Sequence, residues 1–469
     1  MKILLVSAPR PESDASPMHM GDGRPPMGLA YISAYLEKFG HETKIIDLYH
    51  FGGGHKDEKG DKQASTIISH IVQNEKEIDV FDEIESYKPD FIGMYMATIS
   101  YYEGTKLAKE IKSKYPEIKT MIGGPHANEL PETLTDYFDY VVNGEGETAA
   151  LNIVEGRTTE KGIVKSVSIQ DINKLPLPDF RHFIEKPYNW RLQMFESDVH
   201  PVITLNSTRG CPFSCMFCGV ANTKFRGISP RNLVNYIVEL QSKYGAKGIY
   251  FREDNFTVVA KRVEEFCDII IAENIKVNWA CETRVRNLKP HLIEKMAKAG
   301  CVALYIGIES GSDRMLNYMK KAELRKHFID KLPIFHANGM LTYTTFVYGL
   351  PTETQEDRDE TERFIEELNP TTADRFIYIG IPGSDYYKML DYTNTYDFKE
   401  ENGLFYIPGW LELAKQIYGK DDPRCDYVAG LYEKHKINPS PMEPYYIDEN
   451  VYSELATKKL RSQLSEKFN

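Results

Sequence analysis

No stretch of this sequence is long and apolar enough to cross a membrane; the hydrophobic runs fall well short of the ~18 residues a spanning helix needs. Basic charge is also in deficit. Asp and Glu number 69 against 57 Lys and Arg, a formal charge of −12. That argues against a nucleic-acid partner, which would want a basic stripe, while leaving room for a small anionic substrate. A disulfide framework is missing too: seven cysteines is an odd number, and three of them crowd into one loop. Free thiols so arranged suit a reducing compartment, so the expected location is cytoplasmic. At the N-terminus Met1-Lys2 passes straight into Ile3-Leu4-Leu5-Val6, too short an apolar core for a signal peptide. No internal repeat or low-complexity tract is evident.

What is there is a strand–helix alternation over most of 469 residues, enough chain for two or three cores. Five apolar strands are predicted at Lys2–Val6, Thr43–Asp47, Phe91–Met94, Lys119–Ile122 and Tyr140–Val142, with a helix from Met27 to Phe39 ended by Gly40. Strands separated by helices imply a parallel doubly wound sheet, with ligands beyond the carboxyl ends of the strands. Those ends carry Thr98 and Ser100, then Gly123-Gly124-Pro125-His126, then Gly144-Glu145-Gly146. Glycines there would let a bulky ligand approach the backbone. A proline-rich connector, Lys174-Leu175-Pro176-Leu177-Pro178-Asp179, follows. From Pro201 the alternation resumes with six strands, the last predicted at Phe376–Ile379. The fold class expected is α/β: a Rossmann-like domain at 1–155, a linker at 156–200, a partial (β/α)6 barrel at 201–385, and a mixed, α-rich capping region at 386–469.

The second half is organised around CPFSCMFC. Cys211, Cys215 and Cys218 put three thiolates on one short loop just after the run Val202–Leu205. Thiolates so close together bind soft metal, and cysteine is the usual ligand of iron–sulfur clusters. Three ligands leave one iron of a four-iron cluster open to a group that is not protein. On the residues alone, a zinc site completed by a distant Cys or His is the other reading. Cys267, Cys281 and Cys301 lack ligand spacing and read as buried small hydrophobes; Cys425 has no assigned role.

Cys-x3-Cys-x2-Cys with an aromatic, Phe217, before the last Cys resembles the signature of the radical S-adenosylmethionine superfamily. PPMGLAYISAYLEKFG, MIGGPHANELPE and YVVNGEGET resemble the cobalamin-binding domain that precedes many members, over about residues 1–155. The resemblance implies a [4Fe–4S] cluster on the three cysteines, with S-adenosylmethionine bound to the open iron and cleaved to a 5'-deoxyadenosyl radical. It also implies cobalamin as methyl carrier, a small-molecule substrate, and a flavodoxin or ferredoxin as electron donor; it says nothing of oligomeric state. The activity implied is methyl transfer to an unactivated carbon or a phosphinate phosphorus. The alternatives are an oxidative cyclase or ring rearrangement on the same cofactors, or a non-catalytic cobalamin or electron carrier.

Residue by residue, the family pattern assigns S-adenosylmethionine contacts to Phe217, to Glu253 or Asp254, to Glu282 and Arg284, and to Glu309-Ser310. Any one of these charges read alone is an ordinary solvated loop residue. Cobalamin contacts would come from Thr98, Ser100, Gly123, Gly124, His126, Gly144, Glu145 and Gly146, though His126 equally reads as a turn residue bonded locally. The chain departs from carriers that ligate cobalt through Asp-x-His-x-x-Gly. Its loop reads ASPMHMGDGRPPMG, with Asp22 three residues after His19, so no protein His is expected on cobalt. Gly349-Leu350-Pro351-Thr352-Glu353-Thr354 resembles the family's Gly-x-Pro-Gly-Glu-Thr turn with Thr352 in place of Gly, and Ile381-Pro382-Gly383-Ser384 its Pro-Gly-Thr counterpart. No second cysteine cluster follows, which argues against auxiliary clusters and the methylthiotransferase branch. Eleven tyrosines fall between Tyr386 and Tyr452, either as an aromatic cap over substrate or as helices packing on the barrel. Ser453–Asn469 reads as a charged amphipathic helix or a tail.

Overall fold

The computed structural model describes residues 1–10, 23–51, 78–192, 198–380, 382–393, 398–399 and 405–438. His19, Ile381 and the terminal run from Ser453 lie outside the described residues.

The first sheet is parallel and doubly wound. Its strands are β1 (Lys2–Ser7), β2 (Glu42–Asp47), β3 (Phe91–Tyr95), β4 (Lys119–Gly123), β5 (Tyr140–Asn143) and β6 (Gly162–Lys165), in the order β2-β1-β3-β4-β5-β6. Ile3, Leu4, Leu5 and Val6 are buried on both faces, as a central parallel strand requires. The expectation of five strands is one short. β6 pairs with β5 through Tyr140–Gly162 to Asn143–Lys165, but its sequence, GIVK, alternates half-buried and exposed positions. An edge strand so thinly apolar gives little periodic signal. The connector beyond it has almost no regular structure, yet buries Leu175, Phe180, Phe183, Tyr188 and Trp190. Its Tyr188 hydroxyl donates to Asp47 at 2.8 Å.

The second sheet also has six strands: β7 (Val202–Leu205), β8 (Gly248–Phe251), β9 (Asn278–Thr283), β10 (Cys301–Glu309), β11 (Leu341–Tyr348) and β12 (Thr372–Ile377), in the order β12-β11-β10-β9-β8-β7. The last strand starts four residues earlier than predicted. Its TADRFI is largely polar and half-exposed, so the apolar run that follows drew the prediction onward. By packing, the chain divides into two compact units. The first holds residues 1–210, 224–305 and 337–340; the second holds 211–223, 306–336 and 341–469. In the second unit the helices Asp385–Thr393, Trp410–Ile417 and Pro423–His435 follow β12. Tyr386, Trp410 and Tyr432 are fully buried among them, so these aromatics serve packing. Among the described residues no helix is long and apolar enough to cross a membrane.

Candidate functional site

The cysteine loop is held shut by its own backbone. Cys211 donates its N–H to Thr223 Oγ1 at 2.9 Å, and Thr223 donates back to the Cys211 carbonyl at 3.0 Å. Asn222 donates to the Phe213 carbonyl at 2.8 Å, and Ser214 Oγ donates to Asn222 Oδ1 at 2.7 Å. Met216, between the second and third cysteines, is gripped on both sides. Its N–H donates to the Met319 carbonyl at 3.0 Å, and its carbonyl accepts from the Tyr386 N–H at 2.9 Å. Cys211 and Cys215 are buried, Cys218 is half-buried, and none of the seven cysteines is in a disulfide. Three thiols on one pinned loop fit a three-cysteine cluster site. Burial pushes the Cys267 and Cys281 thiols far up, so these are inert protonated groups.

Phe217 and Glu309, assigned separately from sequence, share one partner. Lys321 Nζ lies 6.0 Å from the Phe217 ring centroid and 3.0 Å from Glu309 Oε1. Glu309 sits at φ +75°, a backbone conformation bulky residues avoid and one that recurs at functional sites. Ser310 Oγ accepts from the Ser312 N–H at 3.1 Å and lies 3.3 Å from Thr361 Oγ1. Gly311 can only be glycine, because a Cβ there would come within 2.6 Å of Thr361 Cα. Nothing in the sequence around Lys321 marked it as a member of the site.

In the first unit a cavity of about 360 Å³ brings together Glu253, Asp254 and Glu282 with Arg209, Arg252 and Tyr31. Arg284, expected beside them, is not among its lining residues. The three carboxylates differ in use. Glu253 Oε1 accepts from the Ser207 N–H at 3.0 Å and Ser207 Oγ at 2.7 Å, and Oε2 from the Thr208 hydroxyl. Glu253 thus spends its oxygens on the chain leading to the cysteine loop. Asp254, which is exposed, accepts the Gly210 N–H at 3.2 Å, and desolvation pushes its carboxyl up. Glu282 accepts from the Tyr250 hydroxyl at 2.7 Å, and burial pushes it to about 7. Asp254 and Glu282 therefore retain acceptor capacity facing the cavity, with the guanidinium of Arg252 alongside.

The polar ends of the first sheet turn inward instead. His126 is fully buried; Nδ1 lies 3.3 Å from Thr98 Oγ1 and Nε2 3.0 Å from Thr133 Oγ1. Its ring packs tilted against Tyr101 at 4.7 Å, and burial pushes the imidazole down to about 4, so it is neutral. Both nitrogens are taken by the domain's own hydroxyls, which favours the turn-residue reading. Ser100 is buried in the short turn between β3 and the helix Tyr101–Lys114. Gly124 has φ +107°, and a Cβ there would sit 2.7 Å from the Met96 carbonyl; at Gly146 it would sit 2.7 Å from Ile32. At these two positions the close approach is made by the protein itself, not by a ligand. Gly123 has space around its Cα, and Gly144 has φ +119°.

Glu145 is the main surprise. Burial works against its ionisation, but Arg226 and Arg209 hold its carboxyl below the usual range, and the Ile169 N–H adds a bond at 3.2 Å. Arg226 Nη1 lies 3.1 Å from it, and Arg209 bridges it at 3.1 Å to Glu147 at 2.5 Å. Arg209 also covers the Tyr31 ring at 5.4 Å. Arg209 and Arg226 face each other across a two-stranded ribbon, Thr208–Arg209 with Arg226–Gly227, that forms the neck of the cysteine loop. This clamp has no sequence signature, because its members are 62 to 81 residues apart.

Residues 205–365 match the model of the radical SAM superfamily, and residues 21–154 match that of the B12 binding domain. An uncharacterised methyltransferase of Pyrococcus horikoshii is 27% identical over 437 residues, covering 88% of this chain and 86% of that protein. The anaerobic magnesium-protoporphyrin IX monomethyl ester cyclase of Rubrivivax gelatinosus is 24% identical over 425 residues, covering 86% and 72%. The solved cobalamin-dependent S-adenosylmethionine radical enzyme OxsB, with aqua-cobalamin bound, superposes with a TM-score of 0.67 at 15% identity over 97% of this chain and 71% of its own. With both domains matched in one polypeptide and the fold shared along nearly all of it, the protein belongs to the radical S-adenosylmethionine enzymes that carry a B12-binding domain.

Proposed function

We propose that this protein is a cobalamin-dependent radical S-adenosylmethionine methyltransferase acting on an unactivated carbon or a phosphinate phosphorus of a small molecule. The observation that carries this reading is the pinned loop of three cysteines outside any disulfide, in a chain that also has a B12-binding domain. When bound, the [4Fe–4S] cluster, S-adenosylmethionine and cobalamin supply the radical and methyl-transfer chemistry. The chain's own residues bind and orient. Cys211, Cys215 and Cys218 would hold the cluster, which would supply the electron that cleaves S-adenosylmethionine. Asp254 and Glu282 offer carboxylates to an ammonium, and Arg252 offers a guanidinium to a carboxylate. Lys321 neutralises Glu309 at the end of β10. Among the strand-end glycines of the first domain, Gly123 has ordinary van der Waals space through which a corrin would approach, whereas Gly144 packs on Ser166.

The matching cyclase supports a second reading, in which the same cofactors act without methyl transfer. One experiment separates the two. Protein reconstituted anaerobically with iron, sulfide and cobalamin is reduced and given methyl-labelled S-adenosylmethionine together with an extract of small molecules. The methyltransferase reading expects 5'-deoxyadenosine and S-adenosylhomocysteine together, with label in a product. 5'-Deoxyadenosine without S-adenosylhomocysteine selects the cyclase. Full activity after Cys211→Ala, Cys215→Ala and Cys218→Ala combined would overturn both.

A further inference from the structure

The ion cluster at the end of β5 and the cavity at the ends of β8 and β9 share one residue, Arg209, and all their members lie in the first compact unit. Glu145 follows β5, at a position that the sequence resemblance gives to cobalamin. Its carboxylate is already taken. Oε2 accepts from Arg226 Nη1 at 3.1 Å and from the Ile169 N–H at 3.2 Å, with Arg209 Nη1 also 3.1 Å away, and Oε1 accepts from Arg226 Nη2. Glu147 is buried, and both its oxygens go to Arg209: Oε1 to Nη2 at 2.5 Å and Oε2 to Nη1 at 3.3 Å.

Arg209 is thus gripped from one side. Its contacts with these carboxylates all run through Nη1 and Nη2, and Nε takes part in none of them. The Tyr31 ring lies against the guanidinium at 5.4 Å. The backbone is fixed as well: Thr208–Arg209 pairs with Arg226–Gly227, and the N–H of the next residue, Gly210, donates to Asp254 at 3.2 Å. The residue so held lines the cavity of about 360 Å³, together with Tyr31, Arg252, Asp254 and Glu282. An arginine that is mobile beforehand loses rotamer freedom on binding; one already fixed does not, and its N–H fork matches a carboxylate. Guanidiniums and carboxylates side by side on one wall are what a zwitterion requires.

We propose that Arg209 binds the carboxylate of the cavity's ligand beside Arg252, and that Glu145 and Glu147 are positioning residues that aim it there, not contacts to cobalamin. The proposal rests on the reading given above, in which that ligand is S-adenosylmethionine.

The test uses full-length protein with its cluster assembled anaerobically and left unreduced, so that S-adenosylmethionine binds without being consumed. Dissociation constants are measured for labelled S-adenosylmethionine by equilibrium dialysis and for hydroxocobalamin by absorbance. A Kd does not depend on how many sites are loaded, so a variant that holds less iron does not mimic weaker binding. Arg209→Gln is expected to weaken S-adenosylmethionine binding about tenfold, and Glu145→Gln and Glu147→Gln about threefold each, with cobalamin Kd within about twofold of wild type in all of them. An unchanged S-adenosylmethionine Kd in Arg209→Gln, or cobalamin binding weakened as much as S-adenosylmethionine binding, would overturn the proposal. Arg209→Gln leaves Glu147 buried without a cation. Should it fail to fold, Arg209→Gln combined with Glu147→Gln removes both charges, and the same loss of about tenfold is expected. Should that fail too, wild-type protein decides: S-adenosylmethionine should slow phenylglyoxal modification of Arg209, located by peptide mass, and hydroxocobalamin should not. Equal rates with and without S-adenosylmethionine would sink the proposal. Wild-type protein that takes up a cluster yet binds no S-adenosylmethionine removes the reading of the cavity itself. Wild type that binds it, with variants that bind it equally well, removes only the role given to Arg209.

Discussion

The two sheets end in similar residues and use them in opposite ways. At the carboxyl ends of the first sheet, the polar groups are consumed internally. His126 is bonded through both nitrogens, and Glu145 is held by two guanidiniums and a backbone N–H. At the ends of β8 and β9 in the second sheet, Asp254 is exposed and Glu282 half-buried, each with few donors among the described residues, and desolvation pushes their carboxyls up. Backbone shape follows the same division. After β4 and β5 the positive φ falls on Gly124 and Gly144, whereas at the end of β10 and in the turn after β11 it falls on Glu309 and, beside Gly349, on Thr352. A carboxylate or a polar turn after a parallel strand is thus neutral evidence. What distinguishes architecture from chemistry is whether the protein already satisfies the group.

The largest effect should come from breaking the satisfied side. Glu147 is almost wholly buried and pairs with Arg209 at 2.5 Å. Glu147→Ala leaves Arg209 with Glu145 alone, and removing one partner of a buried pair is costly. A loss of about 2–3 kcal/mol is expected, read as a lower Tm of the apoprotein. Because Arg209 lies two residues before Cys211, iron uptake on reconstitution should fall with it. A neutral Glu147→Ala would mean that the first domain's strand-end carboxylates are not structural after all.

The unsatisfied side is probed by pH. Burial raises the Glu282 carboxyl from 4.5 to about 7. The folded state therefore holds that proton more tightly than the unfolded state does. The resulting stabilisation is complete below pH 4.5 and is lost as pH rises through 7. Glu282→Gln cannot ionise and escapes that loss. The variant should equal wild type near pH 5 and exceed it by about 2 kcal/mol at pH 8. Glu353, also pushed to about 7 by burial, is present in both proteins and cancels in the difference. A difference that does not grow with pH would place Glu282 with the satisfied carboxylates and erase the contrast.

Legibility in the sequence followed the range of the interactions. Both sheets were readable because buried parallel strands are continuous apolar runs, as at Ile3–Val6 and Val202–Leu205. β6 and β12 escaped or shifted because edge strands such as GIVK and TADRFI bury too little to be apolar. The cysteine loop was legible because its three cysteines lie within eight residues. The Glu145–Arg226–Arg209–Glu147 clamp, the Lys321 bridge and Tyr386 were not, because each joins residues distant in the chain and of types common on any surface. His126 shows the converse. A histidine after a glycine pair invites a ligand reading, and only its two hydroxyl neighbours, Thr98 and Thr133, argue that it is part of the framework.

The smallest expected effect tests the backbone half of the contrast. Thr352 stands at φ +66° within the turn GLPTET, where a β-branched side chain is strained by about 1–2 kcal/mol. Arg314 holds that strain in place: Nη2 donates to the Thr352 carbonyl at 2.7 Å, and Nη1 to its hydroxyl at 3.3 Å. Arg314 is itself anchored by Asp357, whose carboxyl it holds well below the usual range despite burial. Glycine adopts this conformation without strain and keeps the bond to the carbonyl, losing only the longer one to the hydroxyl and gaining freedom in the unfolded chain. The net for Thr352→Gly should be a gain of about 0.5–1 kcal/mol, measurable as a small rise in Tm. A fall of that size would mean that the hydroxyl bond and the packing of the buried threonine outweigh the torsional strain. The Thr352 turn would then be held by compensation, where Gly124 and Gly144 avoid the strain by composition.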